Sequence, residues 1–159
     1  MTRHTCVNRS GVTFLELLIV LTIMGVMTAM SLPKIFNVLH QTSARSARVG
    51  FGTLVSTARS VAVQRACTAT LHFTTGSAGL VWVTACKGGG LTGTDTVGVV
   101  DKLAVRFGVS IASSSSSLQF DSRGISIGYQ PHVVVFTSTS GGGAYKDSTV
   151  INQLGKVVR

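Results

Sequence analysis

Three groups of residues in this sequence have types and positions with chemical consequences. Glu16 is the single charge in the run from Val12 to Leu32, VTFLELLIVLTIMGVMTAMSL. An ionised carboxylate in such a helix costs about 2–3 kcal/mol on insertion into a bilayer. No basic residue between Gly11 and Lys34 pairs with it in cis. It calls either for a partner on another chain or for a place at the membrane edge from which it snorkels to water. Cys67 and Cys86 bound two stretches of period-two alternation, CTATLHF and LVWVTAC, separated by the turn composition TTGSAG. A hairpin turning between Gly76 and Ser77 sets residues opposite one another when their numbers add to 153, as those of Cys67 and Cys86 do. That is the separation a disulfide needs; the alternative is two free buried thiols. Lastly, the cations Arg123, Lys146, Lys156 and Arg159 fall in or beside loops or at the chain end, in a sequence with 14 Lys+Arg against 5 Asp+Glu.

Other chemistry is poorly supported. His72 and His132 stand alone in strand patterns, so no metal pair is expected. Ser113 to Ser117 has no nucleophile-elbow context. The Asp residues do not cluster as in a calcium loop, and there is no P-loop or Gly-x-Gly-x-x-Gly fingerprint. Trp82 reads as core. The expectation is no enzyme, no cofactor and no metal. Charged residues at 12% exclude a disordered chain, and aromatics at 6% disfavour a base-stacking domain. Three cysteines do not make a disulfide-dense miniature.

The elements that must position these residues follow from periodicity. Residues 12–32 as a helix span roughly 31 Å, enough to cross a bilayer. The run is too long for a secretory signal and has no small-x-small cleavage site. Arg3, His4 and Arg9 before it place the N-terminus in the cytoplasm. Gly25 and Pro33 weaken the helix and mark a stretch able to kink or melt. Phe51, Leu54, Val55, Ala58, Val61 and Ala62 then recur at helical spacing, predicting a stripe that packs on a sheet. Gly50 and Gly52 predict a bend, and the helix is expected to close near Ala66. Beyond it the sequence predicts a β-rich head: the hairpin, a loop over Lys87–Asp95, a strand over Val97–Phe107, a serine loop, and short strands over Leu118–Asp121, Ile125–Tyr129, His132–Thr137, Val150–Asn152 and Val157–Val158. Gly141–Gly143 reads as a flexible tip.

The octet Gly11-Val12-Thr13-Phe14-Leu15-Glu16-Leu17-Leu18 resembles the class III signal of type IV pilins and type II secretion pseudopilins. The resemblance implies that a prepilin peptidase cuts after Gly11 and that the new N-terminus, Val12, is methylated. Glu16 becomes the fifth residue, where the family has Glu, and its partner becomes the α-amino group of a neighbouring subunit. Gly25 and Pro33 fall where the family weakens its helix. Val12 departs from the commoner Phe. The segment Phe120-Asp121-Ser122-Arg123-Gly124 and the closing Gly155-Lys156-Val157-Val158-Arg159 resemble the GspH/FimT branch.

The implied organisation is α+β and type IV pilin-like: a leader over 1–11 that is removed with Cys6, a transmembrane and filament-core helix over 12–32, an amphipathic continuation over 33–66, and a periplasmic head of antiparallel strands over 67–159. The implied partners are other pilins or pseudopilins through the N-terminal helix, the prepilin peptidase and the bacterial inner membrane.

Without residues 1–11, and with Glu16 in the helix core, 12 basic residues face 4 acidic ones, a net +8. Such an excess attracts polyanions: DNA, lipopolysaccharide or anionic lipid. A basic solubility surface, or contact with acidic neighbours, explains it equally. Some FimT-type pilins bind DNA through a C-terminal Gly-Arg-x-Arg motif. Here Lys156 stands for the first Arg, and Arg159 is displaced by one residue onto the other strand face. The implied function is a minor pilin at or near the tip of a type IV pilus, priming assembly and binding double-stranded DNA for uptake in natural transformation. The alternative is a type II secretion pseudopilin touching tip subunits or exported proteins.

Overall fold

The computed structural model describes residues 11–87, 92–128, 131–140 and 143–158. Residues 1–10 with Cys6, most of the loop after Lys87, residues 129–130, the expected tip at 141–142 and Arg159 lie outside the described residues. Helix α1 runs Phe14–Gln64. Thr13 caps it: its hydroxyl oxygen accepts the Glu16 N–H at 3.2 Å, and its carbonyl accepts the Leu17 N–H. Thr22, Thr28 and Ser31 interrupt the apolar run, yet each hydroxyl donates to a carbonyl three or four residues back. These three hydroxyls are thus satisfied within the helix, as a bilayer requires. It passes through Gly25 and position 33 without a break.

At the other end Ala66 adopts φ 49°, the Ala66 N–H bonds Val63 O, and the Cys67 N–H bonds Ala62 O. These two bonds make a Schellman stop with alanine where glycine is usual. The turn at Arg65–Ala66 accounts for an end two residues short of the sequence reading.

The chain divides into two units, residues up to Phe36 and Asn37–Arg159. In the first, every described side chain from Gly11 to Phe36 is exposed. In the second, Ala44, Ala47, Phe51, Val55, Ala58 and Ala62 are buried at spacings of three and four. Phe51 meets Phe73 and Phe136 edge-on, with ring centroids 5.6 and 5.7 Å away.

Two antiparallel sheets share this core. Strands β1 (Ala69–Phe73), β2 (Leu80–Cys86), β3 (Thr94–Lys102) and β5 (Ser117–Phe120) form one, in the order β3-β2-β1-β5. Strands β4 (Ser110–Ser113), β6 (His132–Ser140), β7 (Gly143–Ile151) and β8 (Val157–Val158) form the other, in the order β4-β6-β7-β8. Helix α2 (Leu103–Phe107) joins β3 to β4.

Several sequence expectations need correction. The hairpin register is offset by one residue: Thr70 faces Thr84 and Leu71 faces Val83, so paired numbers add to 154. The turn is centred on Ser77 because Thr74 and Leu80 close it, the Leu80 N–H bonding the Thr74 hydroxyl at 2.8 Å. Gly79, at φ 43°, leaves room for Ala104 where a Cβ would collide. The stretch Val97–Phe107 is not one strand. Its last five residues are α2, stopped by Gly108 in the left-handed conformation, and they bury Leu103 and Ala104. The alternation that suggested a strand is misleading, for Val99 and Val105 face solvent. Strand β3 also starts earlier, inside the expected loop.

Residues 125–128 make a single bridge, Phe120 to Ser126, in place of a strand, and Tyr129 lies outside the described residues. Asp121 draws the chain into a turn there. Gly50 admits α2, since a Cβ there would sit 3.0 Å from Leu103 Cδ2, and α1 stays helical through Gly50 and Gly52. The serine loop is shorter than expected, with Ser113 in β4 and Ser117 in β5.

Candidate assembly helix and polyanion interface

Glu16 lies in the first turn of α1, exposed, among exposed Phe14, Leu15, Leu17 and Ile19. Among the described residues its carboxylate makes no ion pair. Gly11 and Val12 precede the helix and are exposed. The described side chains at positions 14–36 are exposed, and most of them are apolar.

Cys67 and Cys86 are joined by a disulfide, with Cα atoms 6.3 Å apart. The bond is not the cross-strand pair that the 153 register implied. Cys67 sits before β1, held by the Schellman stop, so the disulfide ties the exit of α1 to the end of β2. Arg65 reinforces the same junction, its Nη1 donating to Cys86 O at 2.7 Å.

The three described candidate cations, Arg123, Lys146 and Lys156, are not one cluster, and Arg159 lies outside the described residues. Lys146 lies within β7, opposite Thr137. Six residues of strand, roughly 20 Å, separate it from the turn at Asn152. Arg123 and Lys156 belong to two turns of the same construction. In Asp121–Ile125, the Asp121 N–H bonds Ile125 O, the Gly124 N–H bonds Asp121 O, and the Ile125 N–H bonds the Asp121 carboxylate at 2.8 Å. In Asn152–Lys156, the Asn152 N–H bonds Lys156 O, the Gly155 N–H bonds Asn152 O, and the Lys156 N–H bonds Asn152 Oδ1 at 2.8 Å.

Each turn needs its glycine, at φ 75° and 68°. The half-buried Arg59 of α1 reaches both, donating from Nε to Gly124 O at 2.9 Å and from Nη1 to Gly155 O at 3.4 Å. A shallow groove lined by Ser56, Arg59, Ser60, Val63, Gln64 and Gly124 runs beside it. Sequence reasoning missed Arg59 as part of this arrangement. The available signal was the repeated spacing of an Asx residue followed three positions later by Gly, in Asp121…Gly124 and Asn152…Gly155.

Most acidic groups of the second unit are already engaged. Asp147 is buried and pairs with Arg48 Nε at 3.1 Å; Asp101 meets Arg106 at 3.6 Å; Asp121 accepts backbone N–H groups. The sequence reading missed the buried pair, although Asp147 alternates in β7 with inward Thr149 and Ile151. His72 stacks on Trp82 and meets the Thr84 hydroxyl at 2.9 Å, while His132 meets that of Ser115. Among the described residues no three His, Cys, Asp or Glu converge as a metal site would require.

Residues 6–32 match the model of the prokaryotic N-terminal methylation motif. The fold is similar to that of the type IV minor pilin FimU of Pseudomonas aeruginosa, with a TM-score of 0.56 over 74% of this chain and 88% of that one, at 13% identity. The chain is type IV pilin-like. The motif covers residues 6–32, and the fold likeness extends over 74% of the chain. No curated protein matches this pilin-like chain.

Proposed function

We propose that this protein is a minor pilin, cut after Gly11 and methylated on Val12. Residues 12–32 hold it in the inner membrane with the head, 67–159, in the periplasm; 33–66 form the amphipathic part of the helix. It then enters a filament by burying residues 12–32 among the helices of other subunits, and its head stands at or near the tip. One observation carries this reading: an apolar helix surface with Glu16 at its start making no ion pair among the described residues, attached to a motif described for N-terminal methylation. A fresh α-amino group on a neighbour neutralises the carboxylate, which no described residue does. Glu16→Val is expected to insert in the membrane in normal amount but to lose co-purification with partner pilins. Co-assembly at the wild-type level would remove the trans pairing.

The finer role we assign is capture of double-stranded DNA by phosphate contact, supported by the basic excess and by the engagement of most head carboxylates within the fold. Binding through phosphates carries no base reading and weakens steeply with salt. The second reading is a type II secretion pseudopilin, favoured by Lys156 standing where the DNA-binding pattern has Arg. Gel retardation of duplex DNA by the full chain in detergent separates the two: retardation at low salt supports DNA capture, and its absence leaves the secretion role.

A further inference from the structure

We infer that Arg59 is the positioning residue of the DNA-binding face, and that this face consists of the two matched turns carrying Arg123 and Lys156. The inference rests on the DNA reading and narrows it to one end of the head.

The geometry leads there in steps. Both turns have an Asx side chain folded back on the backbone and a left-handed glycine three residues on. Both glycine carbonyls accept from one guanidinium. The turns also touch each other, because a Cβ on Gly155 would lie 3.2 Å from Gly124 O and 2.8 Å from Phe120 Cε1. Arg59 is thus the bolt through two loops that approach each other at their glycines. Arg123 directly precedes one glycine and Lys156 directly follows the other, and both side chains are exposed.

The one carboxylate in the two turns, Asp121, accepts from the N–H groups of Arg123 and Ile125. What remains outward is positive. Two cations on rigid turns lose little freedom on meeting a phosphodiester chain, whereas cations on loose loops would lose more. Lys146 belongs to another part of the head and adds only diffuse charge.

Lysine cannot replace Arg59. An ammonium keeps the charge but lacks the planar fork whose separate nitrogens reach the two carbonyls. Arg59→Lys therefore separates the bolt from a mere positive charge.

The test measures duplex DNA affinity of the full chain in detergent across a salt series, with amide hydrogen exchange on the same samples. Arg59→Lys is expected to weaken binding about tenfold and to speed exchange at Gly124, Ile125, Gly155 and Lys156, with Trp82 fluorescence unchanged. In the wild-type background Lys156→Ala lowers the slope of log affinity against log salt by about 0.9, one phosphate contact. In the Arg59→Lys background the same change leaves the slope unaltered. Lys146→Ala is the control and moves affinity less than twofold.

Wild-type affinity in Arg59→Lys, or an undiminished effect of Lys156→Ala there, overturns the inference while the DNA reading stands. Absence of binding by the unmutated chain overturns the DNA reading and with it this role. Faster exchange at both turns then still marks Arg59 as their clamp, and unchanged exchange denies it even that.

Discussion

The two parts of helix α1 have the same backbone and opposite surroundings. Residues 14–36 carry Leu, Ile, Val, Met and Phe on every side, and all their described side chains are exposed. Residues 37–64 have fewer large apolar groups; Val38, Leu39, Val49 and Val63 are exposed, but Ala44, Ala47, Phe51, Val55, Ala58 and Ala62 form one stripe buried under two sheets. A helix that is apolar all round has no polar face to give to water and must find lipid or other helices. A helix with one stripe needs a single partner, and the chain supplies it. Small residues decide how closely the second part packs: Ala44, Ala47, Ala58 and Ala62 bring the sheets near the helix axis, with Phe51 filling the space between Phe73 and Phe136.

The largest effect that sharpens this contrast is expected at Phe51. Phe51→Ala should cost about 3–5 kcal/mol of head stability, a core truncation with a cavity left behind. Leu18→Ala, on the other part of the helix, should leave the head unchanged. Urea unfolding followed by Trp82, the single tryptophan, reads the head alone; equal losses for the two variants would erase the distinction.

Next comes the disulfide at the foot of α1. Reduction frees a loop with a sequence separation of 19 and is expected to lower stability by about 3 kcal/mol. Intact masses with and without reductant should differ by about two protons, the bond's own signature.

A smaller loss, about 2 kcal/mol, is expected for Arg48→Ala, which strands the buried Asp147 carboxylate beneath the stripe. The smallest change has the opposite sign. Ala66→Gly relieves a left-handed alanine and should raise the urea midpoint by the equivalent of about 1 kcal/mol. A lower midpoint would mean that the Schellman stop tolerates alanine without strain.

Much of this contrast was legible in the sequence, for a physical reason. Hydrophobic periodicity is a local property, and it separates an all-round apolar helix from a striped one before any packing is known. Phe51, Val55, Ala58 and Ala62 announced themselves in this way. The head was less legible because its register depends on contacts far apart in sequence. The hairpin slipped by one residue since Thr74 and Leu80 close its turn around Ser77, and Val97–Phe107 alternated like a strand although its end docks as α2 over Gly50.

The site was legible in part. The methylation-type motif and Glu16 are contiguous and could be read directly. Arg59 could not, because its two acceptors come from turns that only the folded sheets bring together. Arg123 and Lys156 were named as candidates, but Lys146 was named beside them, since charge alone does not reveal which strand or turn carries it.

The central proposal is that cleavage after Gly11 frees the α-amino group of Val12 and that the apolar part of α1 is then sheltered by other subunits. Intact-mass and N-terminal peptide spectrometry of the protein extracted from its native membrane tests this most directly. The account predicts a chain that begins at Val12 with one added methyl group. A chain that retains Met1, or one trimmed at a different bond, would contradict it.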